Sequence, residues 1–312
     1  MLLQRRKKTQ ALYLIQQVHI KGDKLMKVKL TGFADEIAQE LTKQMESLKG
    51  LGMMYVEMRG VDGNNLIFHT DEKVKEIKKV LDDNGIRISA LGSPLGKIGI
   101  TDDFEPHFED LKRAVEIGHM MECPNIRMFS FYLPEENNPI KYESTVFERI
   151  GRFVDYATAN GAVLLHENEK GIYGEKAVEC KKLMDAFYGE HFKAIFDFAN
   201  FVQCQEDTLE AYKLLKNYIA YIHVKDAKKI DGSVVPAGYG DGNVAVILQD
   251  LFESSFDGFL SLEPHLFNFE GFTDLEKEGN SILQADRKIL TGLEAFTLAY
   301  NSLAKILEGY KR

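Results

Sequence analysis

From residue 26 onward, short apolar runs alternate with longer stretches in which apolar residues recur every three or four positions. The short runs are typical of buried strands and the longer stretches of amphipathic helices. Eight strands are predicted, over residues 27–32, 53–58, 86–91, 125–131, 163–167, 194–197, 218–223 and 258–263. Helices are predicted over residues 37–51, 74–84, 104–121, 144–160, 175–187, 208–216, 244–253 and 274–310.

This alternation of strand and helix predicts an α/β fold, a single-domain (β/α)8 TIM barrel over residues 26–312. Eight strands, eight helices and a chain of this length are what such a barrel requires. The competing architecture is an open, doubly wound sheet, but no G-x-G-x-x-G follows the first strand. No low-complexity linker or break in composition marks a second domain.

The last four predicted strands each end in a residue that binds metal ions well, namely Glu167, Asp197, His223 and Glu263. Because parallel strands joined by helices all point the same way, their carboxyl ends meet on one rim. Three carboxylates and one imidazole suit Mn²⁺, Mg²⁺, Co²⁺ or Zn²⁺, and the lack of thiolate ligands argues against a structural zinc. The pattern therefore predicts a divalent-metal site and favours an enzyme.

The charge is unevenly distributed, which bears on the class of partner. The formal net charge is −9, but residues 1–25 carry +5, so the remaining chain carries −14. Such an acidic body repels phosphate backbones, and we expect no nucleic acid partner. No apolar run approaches the length of a membrane span, so no membrane association is expected.

Residues 1–25 are interpreted as a disordered, dispensable extension or an over-called start, since Met26 directly precedes the first strand. Cys123, Cys180 and Cys204 are odd in number and lack C-x-x-C spacing. This usage fits a reducing compartment, and a cytoplasmic location is expected.

Six short segments carry a resemblance to a known family: residues 32–36 (GFADE), 56–59 (VEMR), 92–97 (GSPLGK), 166–169 (HENE), 223–226 (HVKD) and 261–265 (SLEPH). They are similar to the xylose isomerase-like TIM barrel superfamily, which holds sugar phosphate isomerases and epimerases and the AP endonuclease family 2 proteins. The resemblance runs from about residue 27 to residue 300, and H-x-K-D and S-L-E-P-H are its most specific parts.

The resemblance implies a metal site and a pair of acid–base glutamates. Glu167 resembles the first metal-ligating glutamate of the ketose epimerases, and Asp197 the aspartate of their D-T-G-H motif. His223 resembles the histidine of H-x-K-D, and Glu263 the glutamate of S-L-E. In that family both ligating glutamates also move protons. Asn200 stands where the D-T-G-H histidine, which usually touches substrate or metal, is expected. The resemblance therefore makes Asn200 a candidate for substrate binding, although it cannot titrate near neutral pH.

Other polar residues near the strand ends are candidates for substrate contacts. Lys225 follows His223 by two positions and projects on the same face of an extended strand. Lys97 is a cation on an acidic rim, suited to a sugar phosphate or carboxylate. His265 is equally compatible with a substrate contact and with a plain hydrogen bond. Glu57 and Arg59 are expected to form an ion pair at the rim.

Two further features of the same region are expected to lie outside the chemistry. His166 alternates with Glu167 along its strand and should point away from the site. Gly238, Gly240 and Gly242 predict a flexible loop after strand seven.

The resulting hypothesis is a metal-dependent sugar or sugar phosphate isomerase or epimerase that works through a cis-enediolate, with a small-molecule partner. The first alternative is an abasic-site endonuclease-like hydrolase, although endonuclease IV-like barrels need more histidines at strand ends. The second is a non-catalytic sugar-binding barrel, which the Asn200 replacement leaves open. The long final helix could cover the barrel or a partner, so a homo-oligomer is possible.

Overall fold

The structure is a computed structural model that describes residues 17–20, 24–134, 138–266 and 290–310. Eight strands form one parallel sheet, as predicted. They are β1 (Lys29–Gly32), β2 (Tyr55–Met58), β3 (Arg87–Leu95), β4 (Asn125–Met128), β5 (Val163–Glu167), β6 (Phe192–Asp197), β7 (Ile219–Val224) and β8 (Phe259–Leu262). From β2 to β8 each strand pairs with the next, and β8 pairs with β1. Since β1 and β2 also contact each other, the sheet curls into a nearly closed barrel.

In the described part of the chain, eight helices of at least eight residues connect and follow the strands on the outside of the barrel. They are α1 (Leu41–Gly50), α2 (Asp71–Asn84), α3 (Glu105–Met120), α4 (Pro139–Ala159), α5 (Ala177–Phe187), α6 (Thr208–Leu215), α7 (Val244–Glu253) and α8 (Gly292–Gly309). The TIM barrel prediction is therefore confirmed.

Local capping chemistry explains where the helices begin and end. The Thr70 side chain accepts the N–H of Lys73 at the start of α2, and Gly85 ends that helix with a φ of 69°. Helix α4 starts at Pro139, earlier than predicted, because the Asn138 side chain caps it and proline suits the first helical position.

The final helix is shorter than the sequence pattern predicts. Thr291 and Glu294 form a capping box that starts α8 at Gly292. The prediction of a continuous helix across residues 290–291 is therefore wrong. The predicted helical residues 274–289 lie outside the described residues. No helix in the described part of the chain is both long and apolar enough to cross a membrane.

A short hairpin precedes the barrel. Gln17–Ile20 pairs antiparallel with Lys24–Lys27. Part of the predicted extension over residues 1–25 is thus a paired strand, while residues 1–16 and 21–23 lie outside the described residues. That the extension is dispensable stays a prediction.

Inside the barrel, below the carboxyl ends of the strands, lies a layer of buried polar side chains. The Thr31 hydroxyl lies 2.7 Å from that of Ser89, which lies 2.9 Å from the Tyr221 hydroxyl. These groups satisfy one another, as buried polar atoms must. The layer forms a rigid polar floor beneath the rim that carries the candidate site.

Candidate active site

The four strand-end residues Glu167, Asp197, His223 and Glu263, here called the ligand cluster, converge at one place. One ligand atom from each lies within 4.8 Å of the others, and all four side chains are buried. His223 Nδ1 lies 2.9 Å from Glu167 Oε1, 3.5 Å from Glu263 Oε2 and 3.9 Å from Asp197 Oδ2. The structure thus brings together the residues that the sequence proposed as ligands.

Strand register explains this convergence. Glu167 and Asp197 are the last residues of β5 and β6, and Asp197 lies directly opposite His223 in the ladder between β6 and β7. His223 lies opposite Ser261 of β8, so Glu263 extends just beyond the strand end. Because alternate residues of a strand face the same side, these four side chains all point inward.

The two candidate acid–base glutamates are held as anions by neighbouring cations. Burial alone would raise the pKa of Glu167, but His223 and Arg127 outweigh it and bring that pKa to about 2. Burial likewise opposes ionisation of Glu263, yet Lys225 above all holds its pKa well below the ordinary value. At neutral pH both glutamates can therefore accept a proton.

The other two members of the cluster have raised pKa values. Burial lowers the pKa of His223, but Glu167 and Glu57 outweigh it and hold that pKa well above its ordinary value. Burial raises the pKa of Asp197 to about 7, although the nearby Lys225 works in the opposite direction. Without an ion, the cluster therefore retains protons that a metal would displace.

The donor set fits a hard divalent cation. Asp197 Oδ1 accepts the N–H of Asn200 at 2.8 Å, whereas the buried Oδ2 has no hydrogen-bond partner among the described residues. That Oδ2 atom lies 3.4 Å from Lys225 Nζ, an electrostatic contact without hydrogen-bond geometry. A buried carboxylate oxygen facing three other ligand-type groups has the chemistry of a metal ligand.

Asn200 lies in a short helix, Phe198–Gln203, that the sequence pattern did not predict. Asp197 caps this helix, which places Asn200 beside the cluster. The Asn200 side-chain amide donates to Glu167 Oε1 at 3.3 Å and to the Asn168 carbonyl at 2.9 Å. Asn200 therefore orients a candidate catalytic glutamate.

Lys225 and His265 both contact Glu263, from two sides. Lys225 Nζ donates to Glu263 Oε2 at 3.1 Å, and the lysine is buried. His265 Nε2 lies 3.3 Å from Glu263 Oε1 and 3.4 Å from Glu36 Oε1. A contact of His265 with a substrate would therefore compete with its contacts to Glu36 and Glu263.

Glu36, Glu263 and His265 form a second group with metal-ligand spacing. Arg59 already occupies this group, because its guanidinium lies 3.4 Å from Glu36 Oε1 and 3.3 Å from Glu263 Oε1. A cation bound to the same oxygens would meet that positive charge at close range. The ligand cluster is the better candidate for an ion.

Lys97 lies at the outer edge of the site. Its Nζ is 3.2 Å from Glu169 Oε2 and 4.4 Å from the centre of the Phe129 ring. The side chain is 12% exposed, so solvent and an incoming ligand can reach it. It does not contact the ligand cluster directly.

The expected rim ion pair between Glu57 and Arg59 is wrong. Both side chains are buried, and Arg59 donates to Asp35 at 2.7 and 3.1 Å. Glu57 turns into the barrel and contacts His223 and Ser261. The Arg59 guanidinium is therefore held by Asp35, and the Glu57 carboxylate by His223 and Ser261.

Arg127 is a site residue that sequence reasoning missed. It is buried, its Nη1 donates to Glu167 Oε2 at 3.3 Å, and its guanidinium lies 5.0 Å from the ring centres of Phe33 and Phe129. Its buried Nε has no hydrogen-bond partner among the described residues. A charged residue between the apolar Ile126 and Met128 of a buried strand was the available signal.

The sequence predicted a flexible loop at the three glycines after β7. In the structure this loop is anchored at each of the three. The Asp226 carboxylate accepts the N–H groups of Gly238, Gly240 and Gly242 at 2.9 to 3.0 Å. The same carboxylate accepts the N–H of Ala227 at 2.9 Å. One buried aspartate therefore fixes the path of the loop.

His166 lies on the outer side of β5, as predicted. It is buried, and its ring centre is 6.2 Å from that of Phe192. It packs between the barrel and the surrounding helices and takes no part in the ligand cluster.

Comparisons with known proteins agree with this fold. Inosose dehydratase of Clostridium perfringens (strain 13 / Type A) is 25% identical over 136 residues, which cover 38% of this chain and 46% of the relative. The match thus spans about half the length of that curated relative. A solved structure of L-ribulose 3-epimerase superposes with a TM-score of 0.71 at 14% identity, covering 91% of this chain and 96% of that chain.

A solved structure of the IOLI protein with a zinc atom superposes with a TM-score of 0.70 at 16% identity, covering 91% of this chain and 99% of that chain. At such identities the two solved structures support the fold alone. The family model described as xylose isomerase-like TIM barrel matches residues 45–290. The chain therefore belongs to the xylose isomerase-like TIM barrel family.

Proposed function

We propose that this protein is a divalent-metal-dependent isomerase or epimerase of a sugar or sugar phosphate, which removes a proton from the carbon beside a carbonyl. The observation that carries the proposal is the buried ligand cluster, in which two ionised glutamates flank one imidazole and one aspartate. A solved relative in fold is an L-ribulose 3-epimerase, which supports sugar chemistry of this class.

Glu167, Asp197, His223 and Glu263 would hold the ion. When bound there, a divalent cation would polarise a substrate carbonyl and lower the pKa of the adjacent C–H. The IOLI structure with its zinc atom supports a metal in this kind of barrel.

We assign the removal and the return of a proton to the two glutamates of the cluster. Glu167 comes from β5 and Glu263 from beyond β8, so two strands separate their attachment points. Asn200 and Arg127 hold Glu167, whereas Lys225 holds Glu263. An ionised glutamate takes the proton from the substrate carbon and becomes a carboxyl group. That carboxyl group can return the proton to another carbon, or the other glutamate, once protonated from solvent, can supply a proton to the opposite face.

The cationic and amide side chains around the cluster suit an oxygen-rich substrate. We assign Asn200, Lys225 and His265 to contacts with hydroxyl or carbonyl oxygens near the ion. Lys97, farther out and partly exposed, suits a phosphate or carboxylate at the distal end of the substrate. The charges of these groups favour substrates with negative or strongly polar ends.

Deuterium wash-in from solvent tests the proposal directly. Ketoses and their phosphates are incubated in deuterated water with the protein and Mn²⁺, and exchange into the recovered sugar is measured by mass spectrometry. We expect exchange with wild type, none with added chelator, and a loss of at least about 100-fold in Glu263→Gln, because a positioned base contributes roughly that much.

Glu210→Gln is the matched control, since Glu210 lies on the surface of α6 and pairs with Lys213. The control should exchange like wild type. Absence of exchange with every candidate sugar, or unimpaired exchange by Glu263→Gln, would contradict the proposed chemistry.

A sugar dehydratase is the second candidate, favoured by the partial match to inosose dehydratase. The first step is shared, because loss of a hydroxyl from the next carbon also begins with proton removal beside a carbonyl. The same incubation separates the two: an epimerase or isomerase returns sugars of unchanged composition, whereas a dehydratase releases one water from each molecule.

A further inference from the structure

Glu57 is a buried carboxylate for which the proposed chemistry has no role. It lies in β2, and its side chain is fully shielded from solvent. In the ladder between β2 and β3, Val56 lies opposite Ile88 and Glu57 opposite Ala90, so Ser89 is an extra residue on β3. The Ser89 hydroxyl donates to the Val56 carbonyl, which satisfies the bulge. The Glu57 side chain points into the barrel, where it reaches His223 and Ser261, and the bulge brings Ala90 opposite it.

Inside the barrel Glu57 contacts the ring edge of His223 that is turned away from the ligand cluster. His223 Nε2 lies 3.3 Å from Glu57 Oε1 and 3.2 Å from Glu57 Oε2. The opposite ring nitrogen, Nδ1, faces Glu167, Asp197 and Glu263. One nitrogen of the imidazole therefore contacts Glu57, and the other faces the ligand cluster.

The Glu57 carboxylate accepts hydrogen bonds from its two neighbours. The Ser261 hydroxyl donates to Glu57 Oε2 at 2.6 Å. Ser261 lies directly opposite His223 in the ladder between β7 and β8, so the strand register brings these two partners of Glu57 side by side. A carboxylate that accepts from both neighbours holds a proton on Nε2 of the imidazole.

We propose that Glu57 is a positioning residue that fixes His223 in the tautomer with Nε2 protonated, so that the Nδ1 lone pair faces a bound metal ion. A neutral imidazole has one N–H, and an acceptor at one nitrogen decides which nitrogen is free to ligate. Such a carboxylate also orients the ring and makes the ligating nitrogen more basic. The inference rests on the proposed metal site and is independent of which sugar is the substrate.

Metal affinity tests this role without reference to turnover. Zinc affinity is measured by competition with a chromogenic chelator for wild type and Glu57→Gln. Glutamine keeps the shape but removes the charge, and its amide can donate to Nε2, so it no longer fixes the tautomer. We expect roughly 10- to 100-fold weaker zinc binding in Glu57→Gln, the effect typical of removing such a partner.

The matched control removes a carboxylate from another buried histidine. Asp110 lies 3.2 Å from His107 Nδ1, and neither residue belongs to the ligand cluster, so Asp110→Asn should bind zinc like wild type. Equal affinities of wild type and Glu57→Gln would overturn the inference and leave the metal site intact. Absence of zinc binding by wild type would overturn the metal site and this inference together.

A second measurement keeps the test decisive if Glu57→Gln does not fold. In zinc-loaded wild type, ¹⁵N NMR of the imidazole should show Nε2 protonated and Nδ1 bound to metal. Ser261→Ala, which removes one donor to Glu57 but keeps the carboxylate, should weaken zinc binding only a few-fold, by roughly the worth of one hydrogen bond. An Nε2-bound zinc with protonated Nδ1 would contradict the proposed tautomer.

Discussion

At the residue scale, His223 and Asp197 carry protons that compete with a metal ion. Glu167 and Glu57 hold the pKa of His223 well above its ordinary value despite burial, and burial raises that of Asp197 to about 7. Both residues must be deprotonated to ligate. Below these pKa values protons occupy the cluster, and above them the ligands are free, so metal affinity must rise with pH.

We expect the apparent affinity for Mn²⁺ to increase between about pH 6 and about pH 8, by up to roughly tenfold per pH unit for each proton released. Isothermal titration in buffers of different ionisation enthalpy counts the released protons. The variant Asp197→Asn should bind more weakly and release fewer protons. A pH-independent affinity with no proton release would show that these groups are not the ligands.

At the element scale, the turn after β3 carries Lys97 and is tied to helix α3. The Gly96 N–H donates to Nε2 of His107 at 2.6 Å, so that nitrogen must be unprotonated. Gly96 has a φ of 85°, and a Cβ there would collide with the Phe129 carbonyl, so no other residue fits. The position of Lys97 at the rim thus depends on a neutral histidine outside the site.

Burial lowers the pKa of His107 below its ordinary value. The unfolded chain therefore binds a proton that the folded chain excludes, and stability falls as the pH drops below about 6.5. We expect His107→Gln to lose less stability than wild type between about pH 7.5 and about pH 5.5, by at most about 1.4 kcal/mol per pH unit. Urea unfolding at both pH values measures this difference. His119→Gln, which replaces an exposed histidine of the same helix, should lose as much stability as wild type over this pH range. The same loss of stability in His107→Gln would refute the argument.

The elements differ in how far the sequence determines them. Helix α2 and the strands around it follow from apolar spacing and from the stop at Gly85, which are local signals. The contact between Glu57 and His223 joins residues 166 positions apart, and the anchoring of the loop depends on Asp226 reaching glycines more than ten positions away. Such non-local pairings leave no periodic trace in one sequence.

At the scale of the whole molecule, the barrel turns four separate strand ends into one site. Knowing only that parallel strands share a rim was enough to select Glu167, Asp197, His223 and Glu263 as candidates. It was not enough to find Arg127, because strand periodicity does not separate an inward charged side chain from one that reaches solvent. The surrounding cations that keep both glutamates ionised emerge only when the barrel closes.

The central claim is that the ligand cluster binds one divalent ion, and zinc-soaked crystals measured at the zinc absorption edge test it most directly. We predict one strong anomalous peak within about 2.0 to 2.3 Å of an oxygen or nitrogen atom from each of the four residues, with Nδ1 as the ligand atom of His223. No peak at the cluster, or an ion bound instead by Glu36 and His265, would contradict the account.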